Sequence, residues 1–265
     1  MNIVFIGAGN MADALVAGLL RNEIASPEAI TVTDISPERL RLFREKYGVR
    51  TESDNLAAAK RADVLVPAVK PQVFPEIWPP LRDALGPDVL VVSIMAGIPT
   101  ARIAGDRPLR VVRVMPNTPA LVGEGAAGVA PGEYATEDDL AFARRMMEGV
   151  GIARVVSEAD IDAVTALSGS GPAYVFYLLE SMIEAARRMG LEEETARDLA
   201  LQTVSGAARL MRETGEEAAE LRRRVTSPGG TTAAALRVLE EHNVKEAFIE
   251  ALLAARNRSR ELADG

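Results

Sequence analysis

A short apolar run that breaks directly into glycines limits the possible folds more than any other feature: Asn2-Ile3-Val4-Phe5-Ile6, then Gly7-Ala8-Gly9-Asn10-Met11-Ala12. The run carries apolar side chains on both parities. As a strand it is therefore buried on both faces, as in a parallel sheet covered by crossover helices. The six residues that follow have the G-x-G-x-x-A spacing. Gly7 permits a tight turn, Gly9 lets backbone approach a pyrophosphate, and Ala12 is small enough for a helix to pack on the strand with its first N–H groups facing the anion. Six residues alone would be weak grounds. Here they follow a strand, open a helix, and precede by 22 residues Asp34, at the end of the second apolar run, which is the context of a dinucleotide-binding unit.

The same alternation continues. Strands are expected at 2–6, 30–34, 63–68, 88–95, 110–115, 126–130 and 152–156, with helices at 11–22, 37–46, 55–60 and 137–149. This half reads as a doubly wound, Rossmann-type α/β domain. After Glu158 the strand signal stops, and helices are expected at 173–189, 193–213, 232–242 and 245–262, broken at Gly190, Gly215 and Pro228-Gly229-Gly230. A length of 265 residues favours two domains, placed here at 1–158 for the dinucleotide and 159–265 for an all-α domain. Val175, Phe176, Leu178, Leu179, Met182 and Ile183 cover more than one helical stripe, so the 173–189 helix should be buried on most sides. A hundred helical residues cannot surround it, which predicts a second subunit.

Composition removes whole classes of chemistry. No Cys is present, and His242 is the single His, which excludes thiolate nucleophiles, disulfides, Ser-His-Asp triads and Cys- or His-based metal sites; no metal is expected. His242 reads as a surface or packing residue. With 38 acidic against 30 basic residues the net charge is -8, so no global field attracts nucleic acid or anionic lipid. Arg222, Arg223 and Arg224 read as a solvated helix end. Absence of a basic leader and of any apolar run near 18 residues predicts a cytoplasmic protein with no membrane span.

Asp34 bears on the cofactor. A carboxylate there accepts from a ribose 2′-OH and repels a 2′-phosphate, which favours NADH over NADPH, although Arg39 stands within reach of the same region. Ala68-Val69-Lys70-Pro71-Gln72, Ala96-Gly97 and Met115-Pro116-Asn117-Thr118-Pro119 end successive strands at the edge where such folds bind ligands, and Pro71 keeps Lys70 out of helical geometry. In the helical half, Ser168-Gly169-Ser170-Gly171-Pro172-Ala173-Tyr174 reads as a flexible turn into a helix. Val225-Thr226-Ser227-Pro228-Gly229-Gly230-Thr231-Thr232 points consecutive N–H groups into one concavity at a helix start, a receptor for a carboxylate.

These motifs together, with Arg113 to Thr118 and Ala163 to Tyr174, resemble the pyrroline-5-carboxylate reductase family from Met1 to about Leu262, and Leu221 to Leu236 looks like the family signature. The resemblance implies reduction of L-1-pyrroline-5-carboxylate to L-proline by NAD(P)H. It also implies an all-helical dimerisation domain, interlocked homodimers, often five in a decamer, and an active site that includes helical segments of the partner. By matching position, Gly7, Ala8, Gly9, Asn10, Met11, Ala12, Asn55, Ala68, Val69, Lys70, Pro71, Ala96 and Gly97 resemble cofactor contacts. Ser227, Gly230 and Thr231 look like the carboxylate pocket, and Thr232 is similar to the hydroxyl that bonds the substrate nitrogen and is the catalytic candidate. Glu217-Ala218 departs from the His-Pro of many relatives. The residue inventory agrees, since hydride addition to a cyclic imine needs neither a protein nucleophile nor a metal. A β-hydroxyacid or imine dehydrogenase of related architecture would use a Lys in the second domain, and none lies between Glu158 and His242. A dinucleotide-sensing dimer would give the 227–232 pocket no purpose.

Overall fold

In the computed structural model, which describes residues 1–264, the first apolar run is the strand β1 (Ile3–Ile6) of an eight-stranded sheet. In chain order there follow α1 (Asn10–Arg21), β2 (Ile30–Thr33), α2 (Pro37–Tyr47), β3 (Arg50–Glu52), α3 (Asn55–Ala59), β4 (Val64–Pro67) and α4 (Phe74–Ala84). Then come β5 (Leu90–Ser93), α5 (Thr100–Ala104), β6 (Arg110–Met115), β7 (Gly125–Pro131), α6 (Glu137–Glu148) and β8 (Gly151–Val155). The strand order is β3-β2-β1-β4-β5-β6-β7-β8. Both parities of β1 are buried, as its sequence requires. Ile3 and Phe5 pack with Leu15, Leu19, Phe43 and Met146 on one face, and Val4 and Ile6 with Phe74, Trp78, Leu81 and Ile103 on the other. Each such side chain contributes about 1.5 to 3 kcal/mol of burial.

The fold departs from the sequence expectation in several places, among them the short helices Thr100–Ala104, Ile161–Val164 and Ala218–Arg224. The sheet is mixed: β7 runs antiparallel to β6, and β8 runs parallel to β7. Only a 3-10 turn, Thr118–Val122, lies between β6 and β7, too little chain for the crossover that a parallel pair needs. The edge strand β3 was not expected, because Arg-Thr-Glu carries no apolar signal. Nor was α4, whose Pro79 and Pro80 lie inside the helix. Each proline removes a backbone donor, but Phe74, Trp78 and Leu81 bury one face, and Trp78 Nε1 donates to Ile103 O at 2.8 Å.

The remaining chain is helical: α7 (Ile161–Val164), a π-helical turn (Thr165–Gly169), α8 (Gly171–Arg188), α9 (Glu193–Thr214), α10 (Ala218–Arg224), α11 (Thr231–Glu241) and α12 (Val244–Asp264). Ser168-Gly169-Ser170 is thus no flexible turn: Ser170 N donates to Thr165 O at 2.8 Å, and the wide turn feeds α8 directly. The chain divides into two compact units, Met1–Pro172 with the residues from Ala255 onward, and Ala173–Ala254. In the second unit the buried residues among those described are Ala186, Ala196 and Ala200. Val175, Phe176, Tyr177 and Leu178 of α8 are exposed. Within one chain, then, α8 lacks the cover that its sequence anticipates, and a contiguous apolar surface of this kind marks an interaction face.

Candidate active site

The turn after β1 is shaped by two glycines that serve different purposes. Gly7 has φ +105°, and a Cβ built there would lie 2.8 Å from Ala68 O. Its N–H donates to Thr33 O at 2.8 Å. Gly9 caps α1 in an extended conformation with no side-chain cap. The first helical bond, Asp13 N to Gly9 O at 3.0 Å, leaves the amides of Asn10, Met11 and Ala12 ahead of it at the positive end of a 12-residue helix. A Cβ on Gly9 would meet only Ala68 O, at 4.0 Å. Uncapped donors beside open space are what a pyrophosphate requires, so these residues fit a dinucleotide. Ala12 lies on the buried face of α1, while Gly9 and Asn10 are exposed.

Asp34 and Arg39 both reach the intervening residue. Asp34 Oδ2 accepts from Ala8 N at 2.7 Å and Oδ1 from Ser36 N at 2.8 Å, while Arg39 Nε donates to Ala8 O at 2.6 Å. The sequence placed these side chains near the cofactor but gave no sign of their grip on the glycine loop. Asn55 opens α3, and its Oδ1 accepts from the buried Thr33 Oγ1 at 2.6 Å. That bond fixes the carboxamide, again unforeseen.

At the next strand end, Ala68 N donates to Ile6 O at 2.8 Å, and Lys70 is extended (φ -65°, ψ 140°) and exposed ahead of Pro71, as expected of a residue before proline. Pro71, Ala96 and Gly97 border one cleft of about 710 Å³, together with Thr165, Ser170 and Arg258. Ala68, Val69, Asn117 and Thr118 are not on its wall. Asn117 instead ties strand to helix: its Nδ2 donates to Ser168 O at 3.0 Å and its Oδ1 accepts from Ala126 N at 2.8 Å. Glu158 also supports this region. Its carboxylate accepts from Thr100 N (2.7 Å) and Thr100 Oγ1 (2.5 Å) and pairs with the buried Arg113 at 3.5 Å.

Ser227, Gly230, Thr231 and Thr232 lie in the second unit, at the start of α11. Gly230 caps that helix in an extended conformation, again with no side-chain cap, and the first helical bond is Ala234 N to Gly230 O at 3.1 Å. The amides of Thr231, Thr232 and Ala233 precede it. Gly230 N donates to Ser227 O at 3.1 Å, so that amide, expected to face the carboxylate, closes the turn instead, and a Cβ on Gly230 would stand 2.5 Å from Ser227 Oγ, which would have to rotate away. Two helix starts, one in each unit, therefore share one construction that suits an anion. Arg223 and Arg224 are exposed and paired with Glu220 and Glu216, and the hydrogen bond from Arg223 holds the Glu220 carboxyl below the usual range. Ala218 begins α10 where proline would be pre-organised, and the helix forms without it. His242 is exposed at the end of α11. Among the described residues no group of three potential metal ligands occurs, and no helix is long and apolar enough to cross a membrane.

Residues 158–262 match the family model described as pyrroline-5-carboxylate reductase dimerisation, and residues 2–97 the one described as NADP oxidoreductase, coenzyme F420-dependent. The pyrroline-5-carboxylate reductase of Methanosarcina acetivorans is 43% identical over 262 residues, covering 98% of this chain and 97% of its own. A solved pyrroline-5-carboxylate reductase from Coxiella burnetii has a TM-score of 0.91 and 46% identity, covering 99% of this chain and 98% of its own. The pyrroline carboxylate reductase of Plasmodium falciparum, solved with NADP bound, has a TM-score of 0.88 and 29% identity over 99% and 98% of the two chains.

Proposed function

Because this chain belongs to the pyrroline-5-carboxylate reductase family, we propose that it reduces L-1-pyrroline-5-carboxylate to L-proline at the expense of NAD(P)H. The observation that carries this reading is the pair of glycine-led, uncapped helix starts: α1 for a pyrophosphate and α11 for a carboxylate. Bound nicotinamide supplies the hydride. The chain's own part is to bind and to orient. The amides of Asn10, Met11 and Ala12 and the open backbone at Gly9 receive the pyrophosphate, in a turn that Gly7 and Ala8 shape; Asn55, Ala68, Val69, Lys70, Pro71, Ala96 and Gly97 line the rest of the cofactor's path. Ser227 Oγ and the N–H of Thr231 hold the substrate carboxylate, while Gly230, whose own N–H donates to Ser227 O at 3.1 Å, closes the turn that presents them. Thr232 Oγ1 orients the imine nitrogen, which takes its proton from water before binding. Holding cofactor and substrate together would let proximity do most of the work.

In this reading residues 1–158 bind the cofactor, and residues 159–265 bind substrate and join two copies into a homodimer, the partner covering the exposed face of α8; five dimers assemble as a decamer. The Asp34 carboxylate favours NADH, since it would repel a 2′-phosphate. The enzyme works in the cytoplasm. The test is cofactor absorbance on addition of L-1-pyrroline-5-carboxylate, with NADH and NADPH in parallel. Substrate-dependent oxidation with a higher kcat/KM for NADH is expected. No oxidation with either cofactor refutes the activity, and a higher kcat/KM for NADPH refutes the preference alone.

A further inference from the structure

A closed ring of hydrogen bonds joins the β1–α1 turn to the β2–α2 turn. Asp34 accepts from Ala8 N (2.7 Å) and Ser36 N (2.8 Å), Ser36 Oγ accepts from Arg39 N (3.3 Å), and Arg39 Nε returns to Ala8 O (2.6 Å). Both poles of one residue are thus held by two opposite charges. Ala8 is fully buried, so removing either partner would leave a backbone group without water to replace it. The Arg39 guanidinium also lies over the Phe43 ring, 5.6 Å from its centroid, which limits its freedom to swing toward a ligand.

We propose that the principal work of Asp34 and Arg39 in cofactor binding is positioning: together they fix the Ala8 peptide, and with it the amides at the start of α1, before any dinucleotide arrives. This rests on the cofactor site proposed above and deepens it. The ring closes within the protein alone, and a loop already in its binding shape has less ordering to lose on association. Its loss therefore weakens every ligand that uses the pyrophosphate loop, whatever the ribose carries at its 2′ position. A pair that acted only on that position would behave oppositely, with Asp34 serving NADH and Arg39 serving NADPH through its Nη2, which has no partner in the protein.

The experiment is direct titration of the wild-type protein, Asp34→Ala and Arg39→Met with NADH and NADPH, together with melting temperatures and amide hydrogen exchange at Ala8 in cofactor-free protein. Both variants are expected to raise Kd for both cofactors at least tenfold, and Asp34→Ala to speed exchange at Ala8. A merely structural role would lower the melting temperature and leave Kd unchanged. Should Asp34→Ala not fold, Asp34→Asn, which keeps one accepting oxygen, and Arg39→Met make the same comparison. Tighter NADPH binding by Asp34→Ala or Asp34→Asn, an Arg39→Met loss confined to NADPH, or unchanged exchange at Ala8 would overturn the proposal. Turnover plays no part, so a wild-type protein that binds both cofactors yet does not oxidise them with the substrate refutes the activity and not the ring.

Discussion

Gly7→Ala and Gly9→Ala should fail in different ways, although the residues are two apart in one loop. At Gly7 the φ of +105° lies in a region that costs an L-residue about 1 to 2 kcal/mol. The added methyl would stand 2.8 Å from Ala68 O and 3.0 Å from Ala68 C, backbone atoms that cannot rotate aside. Relieving such a clash costs about 1 to 3 kcal/mol more, so Gly7→Ala should lose about 2 to 5 kcal/mol of folding stability. Gly9, at φ -76° and ψ -178°, has a backbone any residue adopts, and the nearest atom to an added Cβ is 4.0 Å away. Gly9→Ala should keep wild-type stability or gain about 0.4 to 1 kcal/mol from a stiffer unfolded chain. Its methyl would occupy the space left for the pyrophosphate, so Kd for NADH should rise more than tenfold. Denaturant unfolding and fluorescence titration measure both quantities. A Gly7→Ala protein as stable as wild type, or a Gly9→Ala protein with unchanged Kd, would refute this reading of the loop.

Thr232→Ala should lower kcat more than it raises KM, because the substrate still binds through its carboxylate; unchanged steady-state kcat removes Thr232 from the mechanism. Ser227→Ala should chiefly raise KM, by the equivalent of about 1.5 to 3 kcal/mol for one charge-assisted hydrogen bond, and a fall confined to kcat would contradict that role. Glu158→Ala strands the guanidinium of Arg113, whose side chain is 5% exposed. Breaking a buried pair costs about 3 to 5 kcal/mol, reduced to about 2 to 3 because the Glu158 side chain is partly open to solvent; denaturant unfolding should register the loss. Burial pushes the Tyr47 hydroxyl up, and the hydrogen bond to Tyr47 pushes Lys46 up, so the folded state favours the protonated form of each. That stability is present below about pH 10 and lost as the pH rises through the folded values. Tyr47→Phe should narrow its stability difference from wild type in that alkaline range, and a constant difference would argue against the coupling.

The sequence made legible what depends on neighbours along the chain. Apolar residues on both parities of β1 announced a doubly covered sheet, and β-branched runs located seven of the eight strands. Glycine spacing announced both helix starts, because an uncapped N-terminus is a local property. Elements held by distant partners were hidden. In β3 the polar Arg50, Thr51 and Glu52 are strand because they pair with β2 at the sheet edge. Prolines concealed α4, whose stability comes from the burial of Trp78. The direction of β7 was illegible because polarity of pairing leaves no mark on composition. Around the candidate site, the sequence or its family resemblance singled out Asp34 and Asn55, but three contacts there left no sign in it: Ala8 with Asp34, Thr33 with Asn55, and Glu158 with Thr100. Each joins residues more than twenty positions apart, and no spacing rule encodes such a bond.

The proposed reaction is direct hydride transfer from a nicotinamide to a cyclic imine, with no protein nucleophile and no metal. Its sharpest test is to run the reaction with cofactor deuterated on the transferring face of nicotinamide C4, with a chelator present, and to analyse the proline by mass spectrometry and proton NMR. One deuterium at C5 of L-proline, at a rate the chelator does not change, is the expected result. Unlabelled proline, no proline, or a rate abolished by the chelator would contradict it.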